Sequence, residues 1–142
     1  MIWIGIDTGV HTGLAIWDGK GRRFLSIEEL KIHRAMDVVE ALAKANPGEV
    51  RARVEDARQR KWIPNMGSIR NEIGRAKGAG SVERDCSIWE DFLADIGVPC
   101  EMVAPRYNVT KLRQEAFANL TGWTQRTNEH ERDAAMLVFG KQ

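Results

Sequence analysis

Four side chains that can bind a metal or move a proton stand at the ends of predicted structural elements. Asp7 closes the apolar run Ile2–Ile6, Glu55 ends a second apolar stretch, and Asp133 lies with His130 at the head of a C-terminal helix. Like charges gathered beside a hydrophobic core repel each other and lose hydration. A divalent cation would offset that cost, and carboxylate oxygens are ligands that Mg2+ and Mn2+ prefer. The sequence therefore predicts a divalent-cation site, provided that the fold brings these side chains together.

The C-terminal helix can place two of these groups on one face. His130 and Asp133 are three positions apart, so they are neighbours on a helix surface, and the same stripe continues to the apolar Leu137. Asn128 and Glu131 have the spacing of a capping box, which assigns the Glu131 carboxylate to the helix start rather than to the site.

The elements that would position these residues form a mixed α/β fold. Alternating apolar residues and glycine-rich turns predict three strands in succession, and helical periodicity begins only after them. We predict one domain, residues 1–142, built on a mixed five-stranded sheet flanked by helices. The predicted strands are 2–7, 12–17, 23–32, 50–55 and 99–104, and 56–66 is predicted as an exposed basic loop. Four helices are predicted. The first ends at Asn46–Gly48, the second begins at a cap at Ser81 and ends at Gly97, the third begins at a cap at Asn108 and ends at Gly122, and the fourth runs from Asn128 through Phe139.

Length and composition limit the class of protein. The chain has 142 residues, of which 43% are hydrophobic and 29% charged, and this composition excludes a disordered protein. No apolar stretch approaches the roughly 20 residues of a membrane-spanning helix, and the N-terminus does not begin like a signal peptide. We therefore expect a cytoplasmic protein without membrane contact, in which Cys86 and Cys100 are reduced thiols.

Positive charge is concentrated in one part of the chain. The formal net charge is +1, but between residues 51 and 80 eight basic side chains oppose three acidic ones, which leaves +5. Such a segment can neutralise nucleic-acid phosphates while the whole protein stays near neutral. A solvated loop and helix face would have the same composition, so charge alone leaves both interpretations open.

Four segments, taken in order, resemble the motifs of RuvC-type Holliday junction resolvases of the ribonuclease H-like superfamily. A glycine-flanked Asp alone also opens actin-like ATPases, but four motifs that span nearly the whole chain are more specific. At this length the chain would resemble a short, phage-type member. The segments are Ile4–Gly9 followed by Thr12 and Gly13, the pair Val54 and Glu55, the glycine-containing stretch Gly74–Ala79, and the helix start His130–Ala135.

This resemblance implies a metal-dependent endonuclease that acts as a homodimer on branched DNA, above all on four-way junctions. Asp7, Glu55 and Asp133 would hold two Mg2+ ions, for which Mn2+ can substitute. His130 stands where the family has Asp or His. It could bind metal through a neutral ring nitrogen or transfer a proton, since an ordinary histidine pKa of about 6.5 allows both.

The predicted DNA contacts lie mainly in the basic segment. Arg58 occupies a place where the family can carry an aromatic residue that stacks at the junction, and Trp62 is the candidate to replace that residue. Trp62 could equally anchor its loop to the core. Lys111 resembles a basic residue near the cleaved phosphate, although Pro105–Tyr107 replaces the glycine-rich loop that usually precedes it. The predicted DNA-binding residues are Arg58, Arg60, Lys61, Trp62, Arg70, Arg75, Lys77 and Lys111.

Three other interpretations make different demands on the chain. An actin-like ATPase would use Asp7 around phosphates, but it needs a second lobe for which 142 residues are too few. A non-catalytic branched-DNA-binding module would need the basic segment and not the acids. A nuclease with the same fold could act on forks, flaps or RNA, because the motifs place metals without defining the nucleic acid.

Overall fold

A mixed five-stranded sheet forms the centre of the molecule. The computed structural model describes the backbone of residues 1–59 and 69–142, with the side chains of residues 1–59, 78 and 80–142. The strands are β1 (Ile2–Asp7), β2 (His11–Asp18), β3 (Arg23–Lys31), β4 (Val50–Glu55) and β5 (Cys100–Val103). Their order in the sheet is β3-β2-β1-β4-β5, with β1 antiparallel to β2 and parallel to β4.

Helices cover both faces of this sheet, as the sequence predicts. The core beneath α1 and α2 includes Val39 and Trp89, and the core on the opposite face includes Phe117 of α3 and Leu137 of α4. No helix within the described ranges is long and apolar enough to cross a membrane. The two cysteines are free thiols, as expected. The helices are α1 (Ile32–Ala45), α2 (Ile69–Asp95), α3 (Gln114–Thr121) and α4 (Glu129–Val138), and short 3-10 turns occupy Ala57–Gln59 and Pro105–Tyr107.

Strand alternation decides which face each residue of β1 and β4 joins. Ile4, Ile6 and Val54 are fully buried in the core beneath α1 and α2. Successive strand side chains point to opposite faces, so Asp7 and Glu55 belong to the face that α4 covers. Ile6 is paired with Val54 in the parallel register of the two strands. The register therefore places the two carboxylates side by side at the carboxyl ends of β1 and β4.

Helix α4 packs against the backbone of two strands at a pair of glycines. A Cβ atom added to Gly5 of β1 would lie 2.0 Å from the main-chain oxygen of Ala134, and one added to Gly13 of β2 would lie 2.1 Å from that of His130. Real Cβ atoms essentially never come so close, so any side chain at these positions would push the helix outward. Gly5 and Gly13 thus set how closely α4 approaches the sheet.

The start of α4 is the capping box that the sequence predicts. The Asn128 side chain accepts a hydrogen bond from the Glu131 N–H at 2.9 Å, and the Glu131 carboxylate accepts one from the Asn128 N–H at 2.8 Å. The reciprocal bonds satisfy donors that a helix start otherwise leaves free. They also take the Glu131 carboxylate away from the site, while Asp133 and Leu137 on the inner face are buried.

The predicted helix start at Ser81 is wrong. Ser81 lies inside α2, which runs without interruption from Ile69 to Asp95 and includes Gly78. Glycine in a helix interior costs about 1 kcal/mol relative to alanine, so local preference disfavours a helix through Gly78. Further along the same helix Trp89 and Leu93 are fully buried against the sheet. Tertiary packing therefore outweighs the local preference.

Candidate active site

Three carboxylates and one imidazole meet at the carboxyl ends of β1 and β4. Asp7 and Glu55 end the two strands, and His130 and Asp133 approach from the first turns of α4. Glu55 is 9% exposed and Asp133 is 8% exposed. Carboxylates are rarely buried to this extent unless something compensates the loss of hydration. The structure thus brings together the four residues that the sequence predicts as a catalytic set.

Each carboxylate of the cluster has its own hydrogen-bond donor. One donor is a side chain of α4, and the other two come from the segment between β5 and α3. A charge-assisted hydrogen bond stabilises the ionised form of a carboxyl group and fixes its orientation. The pairs are His130 Nδ1 with Asp7 Oδ2 at 2.9 Å, Asn108 Nδ2 with Glu55 Oε2 at 3.1 Å, and the Lys111 N–H with Asp133 Oδ1 at 2.8 Å.

The cluster is electrostatically unfavourable for its acids. Burial raises the pKa of Asp7 to about 6; the hydrogen bond to His130 opposes the rise, and the charges of Glu55 and Asp133 add to it. Burial likewise raises the pKa of Asp133, against the hydrogen bond from the Lys111 amide and with the help of Glu55. The pKa of His130 is raised, first by its hydrogen bond to Asp7. The site therefore attracts positive charge.

The chemistry of these donors fits a hard divalent cation. Three carboxylates converge, and the Oδ1 atom of Asn108 is a buried oxygen without a hydrogen-bond partner among the described residues. Their spacing does not yet match a bound ion: in residues 1–59 and 69–142, no group of three His, Cys, Asp or Glu side chains is arranged to hold one metal ion. Each carboxylate is oriented by a different donor through one of its oxygens, and the second oxygen of each is not used in these bonds.

Asn108 is a site residue that sequence reasoning missed. The prediction that it caps a helix is wrong, since α3 begins at Gln114 with Arg113 as its N-cap, and Asn108 instead ends the turn Pro105–Tyr107. Its side chain bonds to Glu55, 53 residues away in sequence. No local pattern signals a contact over that separation, and the nearby apolar periodicity favoured a cap.

Lys111 enters the site through its backbone. Its φ angle is +59°, in the left-handed region that residues other than glycine rarely adopt. This conformation accompanies the hydrogen bond from the Lys111 N–H to Asp133, while the side chain is exposed. Strained backbone of this kind persists where the surroundings fix it, often at functional sites.

The Arg58 guanidinium is bonded to two carboxylates of the chain itself, next to the site. Its guanidinium donates to the Asp56 carboxylate at 2.7 and 3.1 Å and to Glu90 of α2 at 2.8 Å. Burial opposes the effect, but the hydrogen bonds from Arg58 and Gln59 lower the pKa of Asp56 overall. Asp56 is only 4% exposed, so the prediction of an exposed loop from residue 56 is wrong at its first residue. The network links α2 to the strand end that carries Glu55.

The remaining predicted DNA contacts fall mostly outside the described side chains. Part of the local positive charge is also neutralised, because Arg53 donates to the Glu101 carboxylate at 2.8 and 2.9 Å and to the Leu137 carbonyl at 2.6 Å. The count of +5 therefore overstates the charge that is free to meet phosphates. Arg60, Lys61 and Trp62 lie outside the described residues, and Arg70, Arg75 and Lys77 belong to α2 with side chains outside them.

The arrangement of strands and helices has a counterpart among solved structures. The chain is similar to the structure titled T. thermophilus RuvC in complex with Holliday junction substrate, with a TM-score of 0.59, 19% sequence identity, and coverage of 99% of this chain and 92% of that one. This chain has the ribonuclease H-like fold. The predicted fold class is thereby confirmed. By sequence, no protein-family model and no curated protein matches the chain. Within the ribonuclease H-like sheet, Asp7 and Glu55 occupy adjacent strand ends beneath α4.

Proposed function

We propose that this chain is a divalent-metal-dependent endonuclease that cleaves branched DNA, with four-way junctions as its substrate. The observation that carries the proposal is the convergence of Asp7, Glu55 and Asp133 at one edge of the sheet, where burial and mutual repulsion raise the pKa of Asp7 to about 6. Such a cluster costs stability unless a cation compensates it. The similarity to RuvC solved with a Holliday junction supports the choice of substrate.

The three acids would hold Mg2+ or Mn2+ in this proposal. When bound, the metal supplies Lewis-acid stabilisation of the charge that develops on the phosphate oxygens during hydrolysis. His130 Nδ1 lies 2.9 Å from Asp7 Oδ2, within hydrogen-bond distance of that carboxylate. In this arrangement the imidazole would hold and move a proton beside Asp7, while the carboxylates would hold the cation. We therefore assign proton transfer to His130 rather than metal ligation.

DNA binding would use the basic segment and the exposed Lys111. Arg58 is left out of this set, because its guanidinium is engaged by Asp56 and Glu90. Replacing Arg60 and Lys61 with alanine should weaken binding and lower the slope of log affinity against log salt by about 0.9 for each phosphate that is no longer neutralised. An unchanged slope would remove these residues from the interface. The proposed contacts are Arg60, Lys61, Trp62, Arg70, Arg75, Lys77 and Lys111.

A homodimer would match the two-fold symmetry of a four-way junction and allow paired nicks. Ile88 of α2 is 41% exposed, which offers an apolar contact for a second copy of the chain. Analytical ultracentrifugation at micromolar concentration tests this part of the proposal, and a monomer at all concentrations would contradict it.

The decisive experiment is a Mg2+-dependent cleavage assay on four-way junctions, forks, flaps, linear duplex and RNA–DNA hybrid. Asp7→Asn should abolish cleavage while junction binding stays intact or becomes stronger, because the variant loses a metal ligand and a negative charge near phosphate. Asp37→Asn is the matched control, since Asp37 is exposed on α1 and its exchange removes the same charge elsewhere.

Each outcome of this assay has a distinct meaning. Symmetric junction nicks that are lost only in Asp7→Asn would support the proposal in full. Cleavage mainly of forks, flaps or hybrids would retain the metal mechanism and replace the substrate. Junction binding without any cleavage would favour the non-catalytic module, and full activity of Asp7→Asn would eliminate the metal-site assignment.

A further inference from the structure

The Asn108 side chain links two structural elements of the site with a single amide group. Its Nδ2 atom donates to Glu55 Oε2 at 3.1 Å and to the main-chain oxygen of Asp133 at 3.0 Å. The two amide hydrogens thus contact the end of β4 and the first turns of α4. These are the two elements whose separation determines how far the Glu55 and Asp133 carboxylates lie apart.

The chemistry of the position requires an amide. If the Asn108 amide were rotated by half a turn, Oδ1 would face the Glu55 carboxylate and the Asp133 carbonyl, and acceptors would oppose acceptors. An aspartate at the same position would place a further acid against Glu55. In the observed orientation Oδ1 is buried without a hydrogen-bond partner among the described residues. A buried acceptor in that condition is unfavourable, so a purely structural role leaves part of this side chain unexplained.

We infer that Asn108 is a positioning residue of the proposed nuclease site. It orients the Glu55 carboxylate and holds β4 in register with α4, so that Glu55 and Asp133 stay close enough to share a cation. The inference rests on the proposed function. It adds a residue that touches a proposed metal ligand and acts through that ligand rather than on the substrate.

The test compares Asn108→Ala and Asn108→Asp with a matched control, Asn46→Ala. Asn46 Nδ2 also donates to a main-chain oxygen, that of Leu42 at 3.0 Å, but at the C-terminal end of α1. Three quantities are measured: Mn2+ affinity by isothermal titration calorimetry, the Mg2+ concentration for half-maximal junction cleavage, and the melting temperature. Asn108→Ala should weaken Mn2+ binding and raise the Mg2+ requirement by about 10- to 100-fold, as losing the partner of a metal ligand does elsewhere. Asn108→Asp removes the donor and places a further acid against Glu55, so it should lower the melting temperature more than Asn108→Ala does, and Asn46→Ala should change only the melting temperature.

The inference is overturned if Asn108→Ala keeps wild-type Mn2+ affinity and Mg2+ requirement. It is supported if, well below the melting temperature of the variant, the metal dependence changes and high Mg2+ restores part of the cleavage rate. Should Asn108→Asp fail to fold, Asn108→Ser provides the same comparison with one hydroxyl donor. Failure of the proposed function is a separate result: a wild-type protein that binds Mn2+ through an Asn108-dependent site but cleaves no nucleic acid would contradict the nuclease and keep the positioning role.

Discussion

Gly13→Ala should damage the site without changing any of its chemical groups. The added Cβ would lie 2.1 Å from the main-chain oxygen of His130, whereas ordinary contacts begin near 3.4 Å. Helix α4 would therefore move outward by about 1 Å, and His130 and Asp133 would move with it. A displacement of about 1 Å in a catalytic group can cost roughly 100-fold in rate, and overpacking of this kind costs about 1–3 kcal/mol of stability. The melting temperature should fall by about 4–12 °C.

The assay is the rate of junction cleavage at saturating Mg2+, measured well below the melting temperature of the variant. Gly48→Ala is the matched control, because Gly48 has a φ angle of +75° with nothing within 4 Å of an added Cβ. Its left-handed backbone would cost about 1 kcal/mol with a side chain, and α4 would not move. A folded Gly13→Ala protein that cleaves at the wild-type rate would refute the reasoning. Equal loss of activity in Gly48→Ala would show that general destabilisation, and not helix position, limits cleavage.

Three further variants probe the surroundings of the site. The folded pKa of Asp7 is about 6, above its ordinary 3.8, so the stability it contributes is present near pH 4 and is lost as the pH rises through 6. Asp7→Asn should therefore be more stable than the wild type at pH 8 by at most about 3 kcal/mol; an equal difference at pH 4.5 in urea unfolding would contradict this. Lys111→Gly should have a higher melting temperature than Lys111→Ala, since both variants lose the lysine side chain and only glycine adopts a φ angle of +59° freely. Equal melting temperatures would show that the backbone around residue 111 rearranges in the alanine variant. Arg58→Ala leaves the buried Asp56 carboxylate without its guanidinium partner and should cost about 2 kcal/mol in thermal unfolding, far more than Arg34→Ala at the exposed pair with Asp37; similar losses of stability in the two variants would contradict a structural role for Arg58.

The parts of the fold that depend on local repetition could be predicted from the sequence. Asp7 and Glu55 each end a predicted apolar strand, so they can lie side by side if the strands are neighbours, and the i, i+3 spacing predicts that His130 and Asp133 share one helix face. Two strands need only pair in parallel register for all four to meet. The capping box at Asn128 is likewise a local pattern, and its prediction is confirmed.

What could not be predicted depends on contacts between distant segments. Asn108 meets Glu55 across 53 residues, and Arg58 meets Glu90 across 32, so neither pairing leaves a periodic signal. The charge of its segment predicts a phosphate contact for Arg58, whereas its hydrogen bond to Glu90 of α2 follows from the fold and from no local pattern. Gly13 illustrates the same limit, because a strand glycine does not reveal which backbone approaches it.

The packing of α4 on Gly5 and Gly13 also bears on how far such a protein can diverge. A helix that contacts main-chain atoms keeps its distance from the sheet whatever side chains fill the core elsewhere, because every residue has the same backbone. The hydrophobic interior can then be exchanged piece by piece while Asp7, Glu55, His130 and Asp133 stay where they are. Through Gly5 and Gly13 the distance between α4 and the sheet is set by main-chain contacts, independently of the side chains that fill the rest of the core.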